Sequence, residues 1–453
     1  MYLENNKDVL ESGFLELLEN KNLRKLREKL IELNEADIAE FIDTLDSEKS
    51  LIAFRLLPKG LATDVFACLD NDKQEHIVKS MTDSELSFII EDLYVDDAVD
   101  MLEELPSDLV NKVLANATPN TRKLINEMLK YPDNSAGSIM TVEYIGLKKS
   151  MTVGEAFDYV RKNSFDKENV YTGYVMDEKR ILEGVVTVKE LLMNPTDAML
   201  DDIMSTNIIK AVTTDNRETI VELFNKYDLL SLPVVDLENR LVGIVTVDDA
   251  VSIMEEEVTE DFEKMAAMTP SEKPYLKTNV FVLAKNRITW LLVLMFSSMI
   301  TGGILSRYEA QIAVLPLLVT FIPMLTDTGG NAGSQSSTMI IRGMAIGEID
   351  LGDALKIIWK EFRVSIVVGS ILAVVNFIKV LMQYPGKYNV GITVGLSMFC
   401  TVMMANIVGG LLPMLAKKLN IDPTIMASPL ISTLVDAMSL MIFFGLAVEI
   451  LHI

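Results

Sequence analysis

Histidine and cysteine are almost missing from this 453-residue chain: His76 and His452 are its only imidazoles, and Cys68 and Cys400 its only thiols. That scarcity excludes a disulfide framework and a thiolate metal cluster. It also argues against imidazole catalysis and an ordinary zinc centre. The sequence has no phosphate-cradling Gly-Lys-Ser/Thr loop, no nucleophile with a nearby base and no ATP-driven pump motif, so a non-enzymatic role is expected. Its start, Met1-Tyr-Leu-Glu-Asn-Asn-Lys, is not the basic-then-apolar pattern of an export signal, and the first half is expected in the cytoplasm. Positive charge is scarce there too. Residues 1–272 carry 28 Lys+Arg against 56 Asp+Glu, a net of −28, whereas residues 273–453 carry 13 basic and 9 acidic side chains, a net of +4. Such an acidic field repels nucleic acid and anionic lipid and concentrates cations. Solubility alone explains an acidic surface equally well.

The second half is dominated by hydrophobic runs. Five segments read as membrane spans, about Ile288–Leu305, Ile312–Ile341, Val364–Leu381, Ile392–Leu415 and Ile425–Leu451, since roughly 20 apolar residues cross the hydrocarbon. Lys273, Lys277, Lys285 and Arg287 precede the first, Arg342, Lys356, Lys360 and Arg363 flank the second connection, and Lys417 and Lys418 lie in the fourth. Opposing them are mainly Arg307, Lys379 and Lys387. Positive charge stays inside, so the N-terminus is expected in the cytoplasm and Ile453 outside a plasma-membrane protein. Gly302, Gly303, Gly369, Gly409 and Gly410 would permit close helix approach. The methionines, such as Met398, Met403, Met404 and Met414, sit at core-like spacings and are read as packing.

Two features do not fit a plain apolar bundle. Asp436 is a lone carboxylate inside the last run, where an acid costs roughly 2.5–3.5 kcal/mol and usually marks an ion or proton path. No base accompanies it in that span; Ser428-Pro429-Leu-Ile-Ser432-Thr433 supplies hydroxyls and a proline that would free a carbonyl. The stretch Pro323–Gln335, with Asp327, Gly330, Asn331 and Gly333, is polar and glycine-rich within another span. Polar or unwound backbone is tolerated at that depth only where it is buried in protein or lines a wet cavity. Together these indicate a cation pathway. One Asp with hydroxyls and backbone oxygens suits Mg²⁺, a hard ion that keeps much of its water; a softer metal would want Cys, Met or His. Asp422, 14 residues before Asp436, is either a helix cap ahead of Pro423 or part of a cytoplasmic vestibule.

In the first half, Leu33, Leu57, Met81 and Leu105 recur every 24 residues and open similar blocks. Two short amphipathic helices per block, stacked into a superhelix, explain the period. Beyond Tyr131-Pro-Asp-Asn the pattern alternates strand and helix. Gly184-Val-Val-Thr187-Val-Lys-Glu190 reappears 59 residues later as Gly243-Ile-Val-Thr246-Val-Asp-Asp249, and Ile139-Met140 as Ile203-Met204. Each copy resembles a cystathionine-β-synthase (CBS) module, with Ser231–Asp236 as a central strand. In such modules the Gly-x-x-Thr-x-x-Asp ending can hold an adenosine ribose; the second copy matches at Thr246 and Asp249, while the first ends in Glu190. Val251, Met254, Val258, Phe262 and Met265 then form an apolar stripe on a helix crowded with acids. Like charges at that spacing destabilise a helix unless something neutralises them, which makes it a natural gate lever.

This combination resembles the MgtE-type magnesium channel family along essentially the whole chain. The motifs carrying the resemblance are Pro323-x-x-Thr326-Asp327-x-Gly-Gly330-Asn331-x-Gly333-x-Gln335 and Ser428-Pro429-x-Ile-Ser432-Thr-x-Val-Asp436. It implies a multidomain fold: an all-α helical-repeat superhelix (1–131), an α/β CBS pair (136–200 and 201–250), a linking amphipathic helix (251–275) and a five-helix α transmembrane domain (276–453). It implies a homodimer in the lipid bilayer with the pore on the two-fold axis. Asp436 of each subunit would bind hydrated Mg²⁺, supported by Asn331, the Ser432 backbone, Asp327, Gly330 and Asp422. Cytoplasmic Mg²⁺ would close the gate at Asp92, Asp96 and Gly137, at Glu218, Asp228 and Asp249, and at Glu257, Glu260 and Asp261. Ser252 stands where a further acid is expected, which weakens one such site. ATP is a candidate regulatory ligand of the CBS pair. Two other readings are a divalent carrier coupled to Na⁺ or H⁺, or preferring Co²⁺ or Mn²⁺, with Asp327 as its second carboxylate, and a membrane-anchored CBS sensor without transport. The last leaves Asp436 unexplained.

Overall fold

The computed structural model describes residues 13–165, 167–271, 275–276, 278–426 and 428–453. Lys273 and Lys277, used above for orientation, lie outside these. The chain forms two compact units that divide between Met254 and Glu255.

After helical residues 13–19, the first unit contains helices α1 (Leu23–Leu30), α2 (Glu35–Thr44), α3 (Ser47–Arg55), α4 (Lys59–Ala67), α5 (Asn71–Ser80), α6 (Asp83–Asp92), α7 (Val95–Glu104), α8 (Ser107–Asn116) and α9 (Pro119–Met128). Each 24-residue block supplies a pair. Leu33, Leu57, Met81 and Leu105 each stand just ahead of the residue that caps the first helix of a pair: Asn34, Pro58, Thr82 and Pro106. Where that residue has a side-chain oxygen it takes the orphan N–H groups, as when Thr82 and Glu85 cap each other reciprocally. Like helices pack on like: α2 on α4, α4 on α6 and α6 on α8, with α3 on α5, α5 on α7 and α7 on α9. One continuous core results, because no single pair can bury its apolar face alone.

Two three-stranded sheets follow. β1 (Ile145–Lys148) runs parallel to β2 (Thr172–Met176), which pairs antiparallel with β3 (Leu182–Thr187). Between and after these lie α10 (Val153–Asn163), α11 (Val188–Met193) and α12 (Leu200–Ile203). The second copy repeats the order with β4 (Ala211–Val212), α13 (Arg217–Tyr227), β5 (Ser231–Val235) and β6 (Leu241–Thr246). The two copies exchange their leading segments. Thr141 bridges to Ile244 of the second sheet, and Ser205 to Val185 of the first. Gly243 and Gly184 make room for this, since a Cβ on Gly243 would lie 2.6 Å from the Thr141 carbonyl oxygen and one on Gly184 would meet the Met204 side chain. The repeated Gly and Ile-Met signatures are therefore partners across the pair.

Helix α14 (Val247–Met265) leaves β6 directly. The residues it buries are Ala250 and Ile253. Of the apolar stripe, Val251, Val258 and Phe262 stand exposed.

The second unit contains α15 (Val280–Arg307), α16 (Glu309–Val314), α17 (Ile322–Ala345), α18 (Ala354–Gln383), α19 (Tyr388–Lys418) and α20 (Ser428–Leu451). Among the described residues, four helical stretches are long and apolar enough to cross a membrane: 280–307, 351–383, 388–418 and 423–451. The expectation was five. The expected second span is instead divided into α16, a 3-10 turn over Pro316–Phe321 and α17. With 24 residues α17 is about 36 Å long, but its polar residues keep it below that apolarity. Nor is its glycine-rich stretch unwound: Asp327–Gln335 is continuous helix. Pro429, in the first turn of α20, frees no carbonyl within that helix, because the oxygen four residues earlier lies outside it.

Candidate ion pathway and cytosolic cation sites

Glycine brings α17 into contact with its neighbours. A Cβ on Gly330 would lie 3.1 Å from Ser432 Oγ, and one on Gly333 would lie 2.8 Å from Ile431 Cγ2 and 3.2 Å from the Ala405 carbonyl oxygen. Gly329 meets Thr401, Val435 and Ser439 in the same way. Gly369 lies against Phe399 and Gly410 against Ile357 and Ser336, whereas Gly302 and Gly303 face open space. The predicted close approaches therefore hold for the later glycines and not for the pair on α15. Polar bonds reinforce this packing: Ser336 Oγ donates to the Asn406 carbonyl oxygen at 3.0 Å, and Asn406 Nδ2 donates to Ser365 Oγ at 3.0 Å.

The glycine face of α17 is buried; its other face is not. Asp327, Asn331 and Gln335, spaced four residues apart, are exposed along one line of the helix. Asp327 also lies close enough to the half-buried Asp436 on α20 for the two carboxyl groups to interact. Ser432, one turn before Asp436, sits at the Gly330 crossing. The two sequence motifs thus meet along the helix pair α17–α20. A polar line of this kind on a helix among apolar spans cannot face lipid without a large desolvation cost.

Asp422 resolves into a structural role with an addition. Its Oδ1 accepts from the Thr424 backbone N–H at 2.9 Å and from Thr424 Oγ1 at 2.6 Å, so it caps the 3-10 turn Pro423–Met426. Its Oδ2 accepts from Lys264 Nζ of α14 at 2.8 Å. Lys264 also pairs with Glu260 at 2.5 Å. Burial raises the Asp261 carboxyl to about 6, helped by the adjoining Asp422 charge. Sequence reasoning did not find Lys264, the lone base among Glu255–Lys264; its isolation was the available signal.

In the first unit, Asp96 and Asp97 at the start of α7 adjoin Asp249, with Glu143, Glu168 and Asp248 nearby. Among the described residues, Asp96 Oδ1 and Glu168 Oε2 are buried without a hydrogen-bond partner. Burial, then neighbouring carboxylates, pushes Asp96 well above the ordinary carboxylate range, Asp97 to about 6 and Glu168 to about 7. Unpaired buried oxygens among like charges are the chemistry a hard cation satisfies. Even so, among the described residues no three such side chains converge closely enough to enclose a metal ion. Asp97, Glu143, Glu168 and Asp248 were not singled out from the sequence, because tertiary packing alone assembles them with Asp96.

The remaining expected residues are dispersed. Asp92 is exposed beside Asp64. Gly137 donates its N–H to the Thr213 carbonyl oxygen at 2.9 Å, and a Cβ there would strike the Tyr131 ring. Glu218, in the first turn of the 11-residue α13, and Asp228, just past its end, are exposed about 15 Å apart along the helix. Asp228, left-handed at φ 50°, ends that helix and lines a cleft of about 730 Å³ together with Tyr171, Thr187, Lys189, Asn207 and Ser231. Thr246 and Asp249 are not among that cleft's walls; Thr246 Oγ1 donates to Asp249 Oδ2 at 2.6 Å. The matching acid of the first copy, Glu190, caps Thr187 in the same manner.

Comparison with known proteins identifies the family. The divalent cation transporter family MgtE matches residues 322–446, the MgtE intracellular N domain residues 33–134, and the CBS domain residues 136–196 and 200–256. The magnesium transporter MgtE of Thermus thermophilus is 33% identical over 97% of this chain and 98% of its own length. The Bacillus subtilis protein of the same name is 30% identical, over 98% of each chain. Among solved structures, the cytosolic domain of the Mg²⁺ channel MgtE in complex with ATP is 32% identical, with a TM-score of 0.52, covering 54% of this chain and 99% of that one. With both motifs brought together on one helix pair and relatives matched from end to end, the chain belongs to the MgtE family.

Proposed function

We propose that this protein carries Mg²⁺ across the cell membrane through a pore lined by α17 and α20, and that cytoplasmic Mg²⁺ closes it. The observation that carries the reading is the exposed line Asp327–Asn331–Gln335 beside Asp436. It needs a wet passage or a second polar surface, and a homodimer with α17 and α20 on its axis supplies both. α17 then serves as a fifth span, placing the N-terminus in the cytoplasm and the C-terminus outside. Asp436 binds the ion through retained water, with Asn331 and the Ser432 backbone beside it. α15, none of whose residues is buried, meets lipid and the partner.

Closure follows from the acidic surfaces. The oxygens of Asp96 and Glu168 that lack partners, with Asp92, Asp97 and Asp249, attract divalent ions, as do Glu218, Asp228, Glu257, Glu260 and Asp261. A cation shifts a conformational equilibrium only through its preference for one state, and carboxylates that repel when bare supply that preference. The cleft lined by Tyr171, Lys189 and Asp228 accepts an adenine nucleotide such as ATP: an aromatic face for the base and an ammonium for phosphate.

Patch recording of the reconstituted protein tests the reading. Unitary Mg²⁺ currents that fall as internal Mg²⁺ rises are expected; coupled flux without unitary openings would favour a carrier, and no flux a sensor.

A further inference from the structure

The linker helix α14 carries a single base within its acidic final stretch, and that base is committed. Lys264 Nζ lies 2.8 Å from Asp422 Oδ2 and 2.5 Å from Glu260 Oε1, with each side chain about a quarter exposed (22%, 31% and 29%). Asp422 is in turn locked to the start of the last span by two bonds from Thr424. Near this amine stands Asp261, whose carboxyl feels Asp422, Glu257 and Glu260, while the preceding residue Glu263 accepts from the Ser271 N–H at 2.8 Å. One ammonium therefore faces a majority of carboxylates, and it joins α14 to the segment leading into α20.

We propose that Lys264 is a resident counter-ion, an internal cation that keeps the linker helix docked on the entry to the last span before any divalent ion arrives. Its loss leaves Asp422, Glu260 and Asp261 facing one another in a half-buried setting, where like charges repel strongly. Docking then depends wholly on an added cation. Burial by itself would lower the Lys264 pKa, yet its bonds to Asp422 and Glu260 raise it, so the amine stays charged throughout the physiological range. The inference rests on the Mg²⁺-closed reading above only for its effect on conduction.

Two measurements on the full-length chain in lipid vesicles test it. The first is the distance between spin labels at Val258→Cys and Leu419→Cys in a Cys68→Ser, Cys400→Ser background, without and with Mg²⁺. With Lys264 intact the distance in Mg²⁺-free buffer stays close to its Mg²⁺-bound value. In Lys264→Gln it lengthens and broadens without Mg²⁺ and recovers on addition; an unchanged distribution overturns the proposal. The second is the internal Mg²⁺ concentration that half-closes the current, expected to rise at least threefold in Lys264→Gln and to stay within twofold of the original in Lys264→Arg. The exchange Lys264→Asp with Asp422→Lys should restore it toward the original value, despite losing the Thr424 cap. Equal half-closing concentrations in all variants also overturn the proposal. If the unaltered protein shows no Mg²⁺ current, the transport reading fails while the distance measurement still decides the counter-ion role.

Discussion

Gly409 of α19 lies directly on the backbone of Gly333 of α17: a Cβ at position 409 would come 2.9 Å from the Gly333 carbonyl carbon and closer still to its oxygen. Backbone, not a side chain, occupies that space, so nothing can rotate away. Gly409→Ala is expected to force the helices apart at a cost of about 1–3 kcal/mol. A lower thermal midpoint in detergent, with Gly302→Ala unaffected as control, is the outcome to look for; equal midpoints would show that the crossing is looser than described.

Asp436→Ala should reduce Mg²⁺ flux in proteoliposomes to background while the chain still folds, because Asp436 is only half-buried. Asp436→Asn keeps the shape without the charge and is expected to behave the same way. Flux near the original level in Asn would mean that shape, and not charge, admits the ion.

The acidic cluster predicts a pH dependence of stability. Burial and neighbouring carboxylates raise Glu168 from an ordinary 4.5 to about 7, and Asp97 from 3.8 to about 6. The folded state thus holds these protons more tightly than the unfolded chain, so the contribution of these two groups to stability is greatest at low pH and declines as pH climbs through the interval from about 4 to about 7. Thermal unfolding of the full chain should show a lower first transition at pH 8 than at pH 5.5, and millimolar Mg²⁺ should recover more at pH 8. A first transition that rises with pH over this range would contradict the assignment.

Tyr171, 64% exposed at the rim of the CBS cleft, is placed to stack on a base. Tyr171→Ala is expected to weaken ATP binding by about 1–2 kcal/mol, roughly 5- to 30-fold, read by calorimetry. Thr246→Ala, away from the cleft walls, should change affinity little; the reverse pattern would move the site to the second copy.

Much of the fold was legible because its causes are local. The 24-residue period of Leu33, Leu57, Met81 and Leu105 is one helix pair and its entry residue. The doubled Gly-x-x-Thr signature is a strand end and helix cap, and in both copies the acid three residues beyond the Thr bonds to it. The membrane half was legible in part. Hydropathy joined Ile312–Ile341 into one span, yet Pro316 and Pro323 begin separate turns, the second opening a helix that is polar on one side.

By itself the chain's order of residues determined the elements, the membrane-length helices and the two polar motifs, since propensity, capping and hydropathy act over a few neighbours. Only tertiary structure decided that Asp436 stands beside Asp327, that Asp96 shares its surroundings with Glu143 and Glu168, and that Lys264 reaches Asp422 across 158 positions. Electrostatic pairing depends on separation in space, and residues far apart in the chain acquire it only when packing brings them together.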